Sequence, residues 1–218
     1  MLDAQIVVLA KQPLAGRTKT RLCPPLTPQQ AADVARAALL DTLSVVVDVP
    51  VRRRVVVLDG SPDSLVPPSF DVIAQRGDGL DARLAAAYDD TFAGCSLPTL
   101  LIGMDTPQVT ATLIECATSA LLQNGGVLGL AQDGGWWAIG LSAPDPQVFL
   151  GVPMSADDTG ARQLARLRER GIVPFMLPVL RDIDRVDDLF AVAEGMPATS
   201  RTAGLARHLG ISREAADA

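Results

Sequence analysis

Lysine is nearly missing from this chain. Of its 218 residues only Lys11 and Lys19 are lysine, and the remaining 17 of its 19 cationic side chains are arginine. Histidine is reduced to His208, near the C-terminus. A Ser-His-Asp or Cys-His nucleophile would have to recruit it from there, which argues against that class, and a zinc site built on several histidines is excluded. Cysteine occurs three times, as Cys23, Cys95 and Cys116, with no Cys-x-x-Cys pair. That suits a reducing compartment better than a disulfide framework. Positive charge is in deficit, with 25 acids and a net charge of −6. Sequence-independent nucleic-acid binding, which needs a net basic face, is therefore not expected. Long apolar runs are also lacking. The stretch 116–132 is uncharged but broken by Gln123, Asn124, Gly125 and Gly126, and a spanning helix needs about 20 predominantly apolar residues. The opening MLDAQIVVLAKQP has no basic n-region and too short an apolar run for a signal peptide. The expectation is a soluble, cytoplasmic protein.

What is present is a 48% apolar composition, enough at this length for one sizeable core. One domain is expected over 1–195. The Ala-, Ser- and Arg-rich tail, 196–218, is expected to be a peripheral helix or partly disordered. Short apolar runs alternate with amphipathic stretches. Strands are expected at 5–10, 54–58, 71–75, 99–104, 126–131, 136–141 and 173–177. Helices are expected at 27–45, 80–93, 111–122, 158–170 and 186–194. Thr27, Pro28 and Gln30 give the first helix a capping-box start. Apolar strands without alternation, separated by helices, predict an α/β fold: a Rossmann-like three-layer sandwich, its mostly parallel sheet covered by helices on both faces. Ligands of such folds bind beyond the carboxyl ends of the strands, and polar residues concentrate there.

After the first strand, KQPLAGRTKTRL places Lys11, Arg17, Lys19 and Arg21 in one loop, with Pro13 and Gly16 preventing a simple helix. An anion such as a di- or triphosphate would neutralise them, lysine as a point charge and arginine as a bidentate fork. The spacing is not that of a Walker A loop. The alternative is a solvated basic loop. TLLIGMDTP is a strand ending on an acid, Asp105, with Gly103 leaving room for a ligand and Pro107 stopping the strand. A carboxylate there suits Mg²⁺ or Mn²⁺ bridged to phosphate oxygens. As a turn residue it would carry no chemistry. Asp133, Gly134 and Gly135 follow a strand, and the paired glycines permit close backbone approach. Trp136 and Trp137 should point to opposite faces, one into the core and one toward a sugar or base. RDIDRVDDL clusters Asp182, Asp184, Asp187 and Asp188. Asp182 or Asp184 could be a second metal carboxylate, or Asp184 with Asp187 a helix cap. Asp157, Asp158 and Thr159 read as a helix start.

VLAKQPLAGRTKTRL, LLIGMDTP, QDGGWWAIGL and DIDRVDDL, in this order, resemble a bacterial family of GT-A-type transferases. It is labelled radical-SAM/selenodomain-associated, or glycosyltransferase-like. The first and last motifs also look like those of nucleotidylyltransferases of the nucleotide-diphospho-sugar transferase fold. The resemblance covers roughly residues 5–194. It implies a nucleotide or nucleotide-sugar, a small-molecule acceptor and a divalent cation, Mg²⁺ or Mn²⁺. It implies phosphate binding by Lys11, Lys19 and Arg21, to which the reading of the loop adds Gly16 and Arg17, and metal binding by Asp105 and Asp184. Acceptor or sugar contacts fall to Asp133, Gly134, Gly135 and Trp136, and catalytic roles to Lys19, Asp105 and Asp133. The chain departs from the family in carrying tryptophans where tyrosines are usual, and Leu80-Asp81-Ala82-Arg83-Leu84 where Leu-Gly-Glu-Arg is common.

Three activities compete. Glycosyl transfer from a nucleotide-sugar, with Asp133 as base, agrees with the family's label. Nucleotidylyl transfer with release of pyrophosphate agrees with the generous four-cation loop and the lack of Asp-x-Asp at the fourth strand. Nucleotide binding without turnover is kept open by the altered 80–84 segment. The residues name no base, sugar, acceptor or oligomeric state.

Overall fold

β1 (Leu2–Lys11) is buried on both faces because each face has its own helical layer. Ile6 and Val8 pack with Leu39, Leu43, Ile114 and Leu121, whereas Val7 packs on the other side with Leu84, Tyr88 and Phe149. This two-sided burial explains the missing alternation. The computed structural model describes residues 1–62 and 65–210. Its further elements are α1 (Pro28–Asp48), β2 (Val51–Asp59), β3 (Asp71–Ala74), α2 (Leu80–Gly94), β4 (Thr99–Gly103), α3 (Ala111–Asn124), β5 (Gly126–Ala131), β6 (Trp136–Leu141), α4 (Thr159–Glu169), β7 (Phe175–Leu180), α5 (Val186–Glu194) and α6 (Arg201–Leu209).

The strands form one sheet in the order β3-β2-β1-β4-β6-β5-β7. All neighbours run parallel except β6, which is antiparallel to both β4 and β5. The reason is local. Only residues 132–135 join β5 to β6, too short a link for a parallel crossover. The sequence therefore returns as a hairpin and places Asp133 at the same sheet edge as the ends of β1 and β4. Successive connections leave β1 toward β2 and β3 on one side and toward β4 on the other. The crevice at that divergence is where doubly wound sheets hold ligands.

The expected capping box forms at α1. Thr27 Oγ1 accepts from the Gln30 N–H at 3.2 Å, and Gln30 Oε1 accepts from the Thr27 N–H at 2.8 Å. The last turn of α1 has no basic residue of its own. Arg54 supplies one from β2, donating to the carbonyls of Val46 and Val49, a favourable partner for a helix C-terminus. β2 starts at Val51, three residues before the expected 54, and takes in Arg52 and Arg53, which pair with Asp3 and Asp71. β7 lies two to three residues later than the 173–177 expected. Gly171 (φ +76) and the Ile172 N–H, which donates to Leu167, keep this stretch in the terminating turn of α4. Pro178 is tolerated because β7 is an edge strand.

A third apolar cluster joins Leu22, Leu26 and Val34 to Ile183, Leu189 and Ala206. α6 is tied to α1 through Asp41, whose carboxylate accepts from the Arg201 and Thr202 N–H groups at 3.0 and 2.8 Å. Leu22 anchors the cationic loop in this cluster.

Candidate active site

The loop after β1 is shaped by its backbone before its charges act. Gly16 has φ +74, and the Arg17 and Thr18 N–H groups both donate to Leu14. Lys19 itself takes a left-handed conformation (φ +52) ahead of a single 3-10 turn at Thr20–Leu22. The consequence is a lysine turned inward. Its side chain is 7% exposed, and Nζ sits 2.7 Å from Asp105 Oδ1 while donating to the Ile183 carbonyl. Burying an ammonium requires such partners. The Ile183 N–H donates to the Asp105 carbonyl at 2.9 Å, so Lys19 locks the end of β4 to the β7–α5 junction. Arg21 is exposed and binds Asp184. Lys11 and Arg17 make no ion pair among the described residues.

Two connected cavities lie at this edge. The larger, about 600 Å³, is within the size range of small-molecule sites. The smaller is about 250 Å³. Lys11, Arg21, Met104, Asp105 and Asp184 line both, Arg17 and Lys19 line the smaller, and Asp133, Gly135 and Trp136 line the larger. Gly16 and Gly134 line neither.

Asp133, Asp182 and Asp184 converge, with one carboxylate oxygen of each within 4.8 Å of the others. An all-carboxylate set fits a hard cation such as Mg²⁺ or Mn²⁺. Asp105 is not in this trio. Lys19 engages one of its oxygens, and its side chain remains 48% exposed. Burial first, and then the charge of Asp133, push the Asp182 carboxyl up to about 6. Between the ordinary value of 3.8 and about 6 the folded protein holds this proton more tightly than the unfolded chain. Stability is therefore lost as pH rises through that window and does not return above it. Metal-free Asp182→Asn protein is accordingly expected to melt higher than the parent at pH 7.5 and level with it near pH 4. Thermal denaturation in chelator at the two pH values checks this.

The Asp-Gly-Gly turn is packed more tightly than its sequence suggests. Gly134 has φ +90, and a Cβ there would lie 1.7 Å from the Asp157 carbonyl oxygen. The Gly160 N–H donates to the Gly134 carbonyl at 2.7 Å. Gly134 thus admits the backbone of residues 157–160, while Gly135 and Asp133 face the cleft. Asp133 Oδ1 accepts the Gly135 N–H at 2.8 Å. The two tryptophans diverge as alternation requires. Trp137 is buried against Gly129 and donates Nε1–H to the Pro178 carbonyl, Trp136 is half-buried, and both contribute to the lining of the larger cavity. The acid that caps α5 is Asp188, accepting from the Arg185 N–H at 2.7 Å, and not Asp184 with Asp187. This leaves Asp184 to the cleft.

Several lining residues carried no functional reading in the sequence. Gln75 donates to the Ala10 and Val57 carbonyls, and Arg83 pairs with Asp59 at 2.9 Å. Met154, Ser155 (φ +62) and Asp157 line the larger cavity. The 80–84 segment, where the resemblance is weakest, is part of this cleft through Leu80, Arg83 and Leu84. Its Asp81 accepts the Gly151 N–H, which holds its pKa below the usual carboxylate value.

The sequence profile of a family described as an uncharacterized protein conserved in bacteria, DUF2064, matches residues 27–156, more than half of the chain. The chain belongs to the DUF2064 family. No curated protein matches this DUF2064 member in sequence. Among solved structures it resembles a presumed nucleotide-diphospho-sugar transferase from Desulfovibrio desulfuricans G20, with 25% identity, a TM-score of 0.87 and 96% of each chain covered. It shares its fold with Rv0371c of Mycobacterium tuberculosis H37Rv in complex with manganese (19% identity, TM-score 0.54, 88% of this chain and 98% of that one). It also shares it with CMP:2-keto-3-deoxy-manno-octonic acid synthetase complexed with CTP (14%, 0.55, 94% and 99%). The DUF2064 chain thus has the α/β fold of nucleotide-handling transferases. Among the described residues no helix is long and apolar enough to cross a membrane.

Proposed function

We propose that this protein is a divalent-metal-dependent glycosyltransferase that uses a nucleotide-diphospho-sugar donor. The observation that carries this reading is the division of one cleft edge between cations and acids. Lys11, Arg17, Lys19 and Arg21 come from the β1 loop, and Asp105, Asp133, Asp182 and Asp184 from the ends of β4, β5 and β7. The likeness to the Desulfovibrio protein, which is named for a presumed nucleotide-diphospho-sugar transferase class, supports it.

Lys11, Arg17 and Arg21 receive the diphosphate, with Gly16 making the turn that presents them. Lys19 positions Asp105 against the β7–α5 junction and adds its charge to the phosphate side. Asp184 would hold the cation, with Asp182 of the trio beside it and Asp105 on the same cleft edge. When bound, Mg²⁺ or Mn²⁺ supplies charge neutralisation at the diphosphate leaving group. Asp133, the exposed member of the trio, takes the acceptor's hydroxyl proton. Trp136 offers its ring beside that carboxylate.

The test is thermal stability with UDP-glucose, GDP-mannose, CTP and UTP, each with and without Mn²⁺. A ligand at 100 times its Kd is expected to add about 2.7 kcal/mol, on the order of 5–10 °C here. Manganese-dependent stabilisation by a nucleotide-sugar, followed by release of nucleoside diphosphate, is the expected outcome. Stabilisation by a triphosphate alone, with pyrophosphate released, would establish nucleotidylyl transfer instead. That second reading is favoured by the four-cation loop and by the CTP-bound fold relative.

A further inference from the structure

The walls of the cleft differ in charge. Four cations line the larger cavity, Lys11, Arg21, Arg83 and Arg185, and all come from the β1 loop, the start of α2 or the approach to α5. The wall built from residues 131–159 presents Asp133, Trp136, Met154, Ser155 and Asp157. Among the described residues this wall carries no lysine, arginine or histidine. Of the arginines in and just after α4, exposed Arg168 lines neither cavity, and the other three are committed elsewhere. Arg162 pairs with Asp158 at 2.7 Å, Arg166 donates to the Gln147 and Leu150 carbonyls, and Arg170 binds Asp145 at 2.8 Å. Asp157 seats its carbonyl against Gly134. Its carboxylate receives no hydrogen bond or ion pair from a described residue.

A phosphate or carboxylate brought to this wall would meet two acids and no cation. Proteins hold such anions with arginine, lysine or converging backbone N–H groups. Hydroxyl groups donate readily to carboxylates, and the Trp136 face suits the apolar C–H side of a sugar ring.

We propose that the acceptor is an uncharged polyhydroxylated molecule, a sugar or polyol and not a phosphate ester or sugar acid, held by Trp136 and Asp157. The proposal rests on the nucleotide-sugar reading above. In the transfer an acceptor hydroxyl oxygen bonds to the anomeric carbon of the donor. The bond from that carbon to the diphosphate oxygen breaks, and its electron pair leaves with the nucleoside diphosphate. The hydroxyl proton passes to Asp133.

The experiment has two arms. The first follows the manganese-dependent thermal shift with UDP-glucose and GDP-mannose. The second follows nucleoside diphosphate release with matched acceptors: glycerol against glycerol 3-phosphate, and methyl glucoside against glucose 6-phosphate and gluconate. Each neutral acceptor is expected to exceed its charged partner in kcat/KM by at least about tenfold, because both acids of this wall repel an anion. Trp136→Ala should raise the KM for the neutral acceptor about tenfold and leave the donor KM unchanged. Asp157→Lys should narrow the gap for the phosphorylated partners. Loss of the first arm overturns the donor reading itself. A normal first arm overturns the acceptor inference alone if a charged acceptor equals or exceeds its neutral partner. So does a normal first arm with no release stimulated by any neutral acceptor.

Discussion

Gly134→Ala is expected to cost about 3–5 kcal/mol of folding stability and to lower the melting temperature by on the order of 10 °C. Two independent penalties combine at this position. The backbone is at φ +90, which an L side chain rarely adopts, and the new Cβ would lie 1.7 Å from the Asp157 carbonyl oxygen. The obstacle is main chain and cannot rotate away, so the β5–β6 turn or the 157–160 segment must shift. Asp133 and Asp157 sit on those two pieces, so loss of acceptor-dependent turnover should accompany the loss of stability. Gly151→Ala separates the two penalties. Its φ is +75, yet a Cβ there meets nothing within 4 Å. That variant is expected to cost only about 1 kcal/mol. Comparable melting temperatures for the two variants would mean that the close contact at Gly134 does not matter.

Asp184→Asn is expected to lower metal-dependent turnover by about 100-fold or more, because an amide cannot replace an anionic ligand at a hard cation. The substitution keeps the side chain's shape and removes one half-exposed ion pair, with Arg21. Such pairs contribute about 0–1 kcal/mol, so the melting temperature should move little. Asp188→Asn is the contrasting change. Asp188 caps α5, binds Arg181 and accepts the Asp184 N–H at 3.2 Å, so its loss should appear first in stability and reach manganese affinity only through the Asp184 backbone. Assays of turnover against manganese concentration, paired with melting curves, distinguish the two.

The sequence carried the sheet because its strands are buried on both faces and therefore appear as plain apolar runs. Thr27 and Gln30 declared the start of α1 because capping is local chemistry. The cationic loop was equally plain, since its four charges lie within Lys11–Arg21. What stayed hidden depends on distant partners. Arg21 and Asp184 are 163 positions apart, and nothing local says that Lys19 turns inward to Asp105 and Ile183. The paired glycines of Asp133-Gly134-Gly135 predict close backbone approach by a ligand. At Gly134, however, the visitor is the protein's own Asp157 carbonyl. For the same reason Asp157, which read only as a helix start, came to line the cleft. The reversed direction of β6 was implicit in the short 132–135 link. The late start of β7 was not, because it depends on how α4 terminates at Gly171 and Ile172.

The proposed transfer requires a divalent cation at the acid edge beside a loop that holds a diphosphate. The most direct measurement is anomalous diffraction at the manganese edge from crystals grown with UDP and Mn²⁺. One manganese is expected about 2.2 Å from an Asp184 oxygen, with Arg21 released from that carboxylate toward the diphosphate. Manganese bound elsewhere, with Asp184 still paired to Arg21, would contradict it.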